Sequence, residues 1–73
     1  MLGNDFGNMK DSLRRVAEYQ RIRCKVEPGF GENYYLLAVE EDGVNASDVF
    51  HITHDGHLNR AINTLLGRLY AAA

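Results

Sequence analysis

The sequence has no tryptophan, one cysteine (Cys24) and one proline (Pro28). A lone cysteine excludes a disulfide within the chain and any zinc site built on several thiolates. A small domain without such a staple fits a reducing compartment. Positive charge is scarce as well: eight Lys and Arg stand against ten Asp and Glu, a formal net charge of −2. Attraction to phosphate requires clustered cations, so nucleic acid ranks below protein as an expected partner. No apolar run approaches the ~18 residues of a membrane span. The opening Met1-Leu2-Gly3-Asn4-Asp5-Phe6-Gly7 lacks the basic start and apolar stretch of a secretion signal. The expectation is a soluble, cytoplasmic protein that does not engage membranes.

What the 73 residues do contain is a globular composition, 45% hydrophobic and 25% charged, too apolar for a disordered chain. The longest apolar run, Tyr34-Tyr35-Leu36-Leu37-Ala38-Val39, lies near the middle and offers apolar side chains in both directions. Residues 1–7, with two glycines, read as a loose lead-in, and 8–73 as one domain. Asn8 is placed to cap a first helix, with Asp11 near the positive end of its dipole. Met9, Leu13, Val16, Ala17 and Gln20 then recur at helical spacing. No Gly or Pro closes this helix, which leaves its end anywhere from Glu18 to Arg23.

The period changes to two in Arg21-Ile22-Arg23-Cys24-Lys25-Val26-Glu27, where Ile22, Cys24 and Val26 face one way and four charged residues the other. That is a strand with one buried and one wet face. Pro28 to Asn33 supplies a turn, and Tyr34 to about Glu41 the return strand. Asp42-Gly43 is a hairpin signal. Asp48-Val49-Phe50-His51-Ile52-Thr53 reads as a third strand, with Val44 to Ser47 either loop or its ragged start. Thr53 or Asp55 is available to cap a last helix, in which Leu58, Ala61, Ile62, Leu65 and Leu69 form a wide apolar stripe. The fold class is α+β, a three-stranded antiparallel meander with N- and C-terminal helices on one face, in the order α-β-β-β-α.

Helices on one face need apolar strand residues beneath them. Ile22, Cys24 and Val26 supply these from the first strand, Phe50 and Ile52 from the third. The middle strand supplies either Tyr35, Leu37 and Val39 or Tyr34, Leu36 and Ala38. The other triplet then stands on an open face beside Arg21, Arg23, Lys25 and His51. Either the Arg and Lys stems cover it, or the face docks a partner. Phe30, between two glycines at a hairpin tip, has little core nearby and is a candidate interface anchor. The acidic Glu40, Glu41, Asp42 and Asp48 form a solvated turn or a patch for a basic partner. The candidate partner-binding residues are therefore Arg21, Arg23, Lys25, Phe30, Tyr34, Glu40, Glu41, Asp42, Asp48 and His51.

Catalytic and metal chemistry find no support. All three histidines lie in His51-Ile52-Thr53-His54-Asp55-Gly56-His57. In a strand, His51 and His54 project to opposite faces, and His54, Asp55 and His57 match no zinc spacing. Turn and cap chemistry explains the segment, and no metal or cofactor is expected. Cys24 faces the core while His51 faces away, so no thiol–imidazole pair forms. Ser12 and Ser47 lack a Gly-x-Ser-x-Gly setting. The expectation is a protein without enzymatic activity.

The α-β-β-β-α order resembles the double-stranded RNA-binding domain, a resemblance that implies nucleic-acid binding through the start of the last helix. There this chain has His57-Leu58-Asn59-Arg60 where that family carries a basic cluster. From Asp11 to about Leu69 the outline also resembles small phage anti-CRISPR proteins, in particular inhibitors that mimic the DNA motif read by an RNA-guided nuclease. That resemblance implies an inhibitor of a host defence complex, with Glu40, Glu41, Asp42 and Asp48 as the mimicking acids. Another protein is the expected partner, and a second copy of the chain, forming a homodimer, is a further expectation.

Overall fold

The computed structural model describes residues 6–72. A helix α1 (Phe6–Gln20) is followed by strands β1 (Arg23–Pro28), β2 (Tyr34–Glu41) and β3 (Val44–His51) and a helix α2 (Asp55–Ala72). The strands form one antiparallel sheet in the order β1-β2-β3, the expected α+β meander. Both helices pack on the same face, and none of the described helices is long and apolar enough to cross a membrane.

Asp42 (φ 53°) and Gly43 (φ 80°) are the only residues between β2 and β3. Two successive left-handed residues give the tight turn whose twist matches that of antiparallel strands. Pairing therefore starts at once, with Glu41 opposite Val44, and runs to Tyr34 opposite His51. Val44 to Ser47 are thus strand rather than loop, and β3 ends at His51, two residues short of the expected Thr53. Ile52 has left the ladder yet is fully buried, its N–H donating to the Asn33 carbonyl at 2.8 Å.

This register settles the middle strand. Phe50 lies opposite Tyr35, and Cys24 and Val26 lie opposite Val39 and Leu37. Tyr35, Leu37 and Val39 consequently face the helices, each no more than 5% exposed. Tyr34, Leu36 and Ala38 face the other way. From α2 the core receives Leu58, Ala61, Ile62, Leu65, Leu66 and Leu69; from α1 it receives Met9 and Leu13. Removing a residue such as Leu37 would cost on the order of 2–5 kcal/mol.

Around α1 two boundaries and one buried position differ from the sequence reading. Phe6 and Gly7 belong to α1, so Asn8 lies inside the helix and does not cap it; the rest of the expected lead-in, residues 1–5, lies outside the described residues. Gln20, expected on the inner stripe, is exposed, and Ser12 is buried instead. Arg21 is not on β1. It holds φ at 57° just past the helix, with its N–H on the Glu18 carbonyl (3.3 Å) and the Ile22 N–H on the Ala17 carbonyl (3.0 Å). That bonding is the Schellman closure of a helix, a position that glycine usually occupies.

Opposite outcomes are expected at two left-handed positions. Arg21→Gly relieves the side-chain clash and raises stability by about 1 kcal/mol, whereas Gly43→Ala introduces one and lowers it by about 1 kcal/mol. Urea denaturation of both variants checks the pair; a destabilised Arg21→Gly would show that the arginine side chain matters more than the backbone strain.

Candidate functional site

The face turned away from the helices is laid out by the ladder. In successive rows from β1 through β2 to β3 it carries Arg23, Glu40 and Asn45; then Lys25, Ala38 and Ser47; then Glu27, Leu36 and Val49; and lastly Tyr34 and His51. Leu36 sits at the centre, flanked along its strand by Tyr34 and Ala38 and across the ladder by Val49. Tyr34 is 44% and Val49 45% exposed, and Leu36 and Ala38 are half-buried. No element covers this apolar strip among the described residues. Phe30, in the β1–β2 loop, is 98% exposed and does not fold back onto a helix.

Of the candidate residues, the structure brings Arg23, Lys25, Tyr34, Glu40 and His51 together on that one face. The other five fall elsewhere: Phe30 in the β1–β2 loop, Glu41 and Asp42 at the β2–β3 turn, and Arg21 and Asp48 as follows. Arg21, which the alternation placed beside Arg23, caps α1 instead. Asp48 stands on the helix side of β3, opposite Leu37, where the Arg68 guanidinium of α2 donates to its carboxylate at 2.8 Å. That bond, and then the Val49 N–H at 2.7 Å, hold the Asp48 carboxyl below its ordinary value. The four acids therefore do not form one patch. Glu40, Glu41 and Asp42 share a shallow cleft of about 320 Å³ with Arg21 and Arg23, cations that offset them.

The sequence reading missed the arrangement of the histidines. His51 and His54, expected on opposite faces, are joined through His57, and the rings stand in a row that begins at Tyr34. Centroids are 5.0 Å apart from Tyr34 to His51, 6.1 Å from His51 to His57 and 3.9 Å from His57 to His54. The chain leaves β3 and turns directly into α2, and this brings the imidazoles back beside the sheet. Neither Thr53 nor Asp55 accepts the first N–H groups of α2 through its side chain. His54 Nδ1 accepts the Gly56 N–H at 3.0 Å, and His57 Nδ1 accepts the Thr53 N–H at 3.2 Å. Both rings must be unprotonated at Nδ1 to do so, which places the proton on Nε2. A metal ion bound through Nε2 would need the opposite tautomer, and among the described residues no group of three His, Cys, Asp or Glu is arranged to hold one.

Cys24, half-buried on the helix side of β1, has its thiol pushed up to about 11 by burial. It stays protonated at neutral pH and lacks the thiolate that nucleophilic chemistry requires.

No protein-family model, no curated protein and no solved structure matches this chain.

Acidification should act on the start of α2. His57 is held below the ordinary imidazole value of 6.5 by partial burial, and then by repulsion from His54, His51 and Arg60. The unfolded chain takes up a proton before the folded one, so stability that is complete above about pH 6.5 is lost as pH falls through that value. The thermal midpoint is expected to drop between about pH 7 and 5.5, the imidazole range, and His57→Gln to flatten the drop. An unchanged slope in His57→Gln would locate the sensitivity elsewhere.

Proposed function

We propose that this chain is a non-enzymatic protein-binding module that presents the open face of its sheet to a partner. The observation that carries the reading is the contiguous strip of Tyr34, Leu36, Ala38 and Val49, with Tyr34 and Val49 exposed and Leu36 and Ala38 half-buried, on the sheet face opposite both helices. Apolar side chains side by side on a small surface, rimmed by charge, are the usual form of a docking site. Phe30 adds a fully exposed aromatic at the same end of the sheet as Tyr34, the kind of residue that anchors interfaces.

Charge favours protein over nucleic acid. Arg23 and Lys25 are the two cations on this face, with Glu27 and Glu40 beside them, and a phosphate backbone needs a larger cluster than that. The resemblance to anti-CRISPR proteins supplies one class of partner, a host defence complex. Under that reading too, the contact lies on the open face, since Asp48 is engaged with Arg68 and cannot join the other acids in mimicking DNA.

A photo-crosslinking amino acid placed at position 36 or 49 in the producing cell tests the proposal. One adduct of discrete mass is expected from both positions and none from position 63, where Asn63 is exposed on α2. An adduct of twice the chain's own mass would identify the partner as a second copy. Equal crosslinking from position 63, or none from the sheet, would overturn the reading.

A further inference from the structure

The two helices do not share the sheet evenly. α1 lies over β1 and touches α2, whereas α2 spans β2 and β3. Neighbouring strands are about 4.8 Å apart, so three strands make a sheet ~14 Å wide. Two helices packed side by side, 8–10 Å between axes and each ~10 Å across, cover about 20 Å. The helical layer is therefore about one strand wider than the sheet, and α1 overhangs the outer edge of β1. Beneath the overhang is a groove of about 850 Å³ with Leu13, Ala17, Ile22, Cys24 and Val26 in its lining. Of these only Leu13 is buried; the other four are half-covered.

The backbone at this edge is aimed into the same groove. Gly29 donates its N–H to the Tyr34 carbonyl at 2.8 Å, which makes that pair a hydrogen-bonded one. Stepping along an antiparallel ladder by twos, Glu27, Lys25 and Arg23 also bond inward to β2, and Cys24 and Val26 direct both N–H and C=O outward. Pro28 falls on the outward set, where its missing N–H breaks no pairing. The opposite edge of the sheet differs. On β3 the outward N–H of Val49 is already taken by the Asp48 carboxylate at 2.7 Å.

We propose that the outer edge of β1 accepts an extended segment of a partner protein as a fourth strand, with apolar and acidic residues in alternation. Main-chain bonds to Cys24 and Val26 supply affinity, and the two faces supply selectivity. Apolar residues of the guest slot under α1 against Cys24 and Val26. The residues between them stand on the open face beside Arg23 and Lys25, neither of which makes an ion pair among the described residues. Five of the chain's eight Lys and Arg line the groove, against three acids. A second copy does not fit this role. Antiparallel pairing of β1 with β1 would bring two overhanging α1 helices over the same pair of strands, closer than the 8–10 Å that packed helices need, and parallel pairing turns the second copy over and would set its Arg23 and Lys25 under α1. The proposal does not rest on the open-face reading: it uses the edge of β1 and the groove beneath α1, and shares with that face Arg23, Lys25 and Glu27 of β1.

The test uses the full chain and a blocked peptide of alternating valine and glutamate, titrated by fluorescence anisotropy and by amide hydrogen exchange. Saturable binding is expected, with slowed exchange at Cys24 and Val26. The same peptide N-methylated on alternate residues should bind at least tenfold more weakly, as should a valine–lysine peptide. Combining Arg23→Glu with Lys25→Glu should reverse the preference between the two charged peptides; because N-methylation alters only the peptide, it tests the main-chain pairing whether or not that variant folds. Equal binding of the N-methylated peptide, no saturation up to millimolar concentration, or protection at Leu36 and Val49 in place of Cys24 and Val26 would overturn the proposal. So would protection of the β1 amides that grows with protein concentration alone, since it would make the occupant another copy.

Discussion

Asp42 and Gly43 both adopt left-handed φ, and a two-residue turn of this kind admits one pairing, Glu41 with Val44. Every later pair follows from it. A slip of one residue would carry Tyr35, Leu37 and Val39 out to solvent and put Tyr34, Leu36 and Ala38 beneath the helices. The second arrangement is poorer because Ala38 fills less space than Val39, and β3 would offer Val49 and Ser47 in place of Phe50 and Ala46. Turn geometry and side-chain volume thus agree, and that agreement is what gives the small core a single solution.

The elements legible in the sequence were those with solvent on one side. β1 alternates charged with apolar residues, and α2 carries an apolar stripe; both patterns record where water is. β2 is apolar on both faces, so periodicity alone left its inner triplet open. The answer was present in the chain but lay outside the strand: the Asp42-Gly43 turn counts Phe50 back to Tyr35. The end of α1 was obscure for another reason. Arg21 closes the helix in a conformation that glycine normally signals, and a left-handed arginine leaves no mark on composition.

The site was legible in part for similar reasons. Arg23, Lys25, Tyr34 and His51 meet on one face because strand alternation alone places them there. Asp48 could have been assigned to the helix side from the same register, being opposite Leu37, but its bond to Arg68 joins residues twenty apart and depends on how α2 lies on the sheet. The histidine row is tertiary in the same sense. Its rings meet only because the chain turns sharply between β3 and α2, and His54 accepts the helix N–H that Thr53 and Asp55 were the expected residues to take.

The uneven seating of the helices has a consequence for how the molecule opens. β2, β3 and α2 follow one another along the chain and enclose most of the buried side chains, whereas α1 is attached through β1 and a narrow contact with α2. Segments with little buried surface open at the lowest free energy. Among the described residues, 34–72 hold ten of the twelve apolar side chains of the core, and α1 holds the other two. Lifting α1 would uncover the helix-facing side of β1, and it would also expose Met9 and Leu13, which tie the helix to the core.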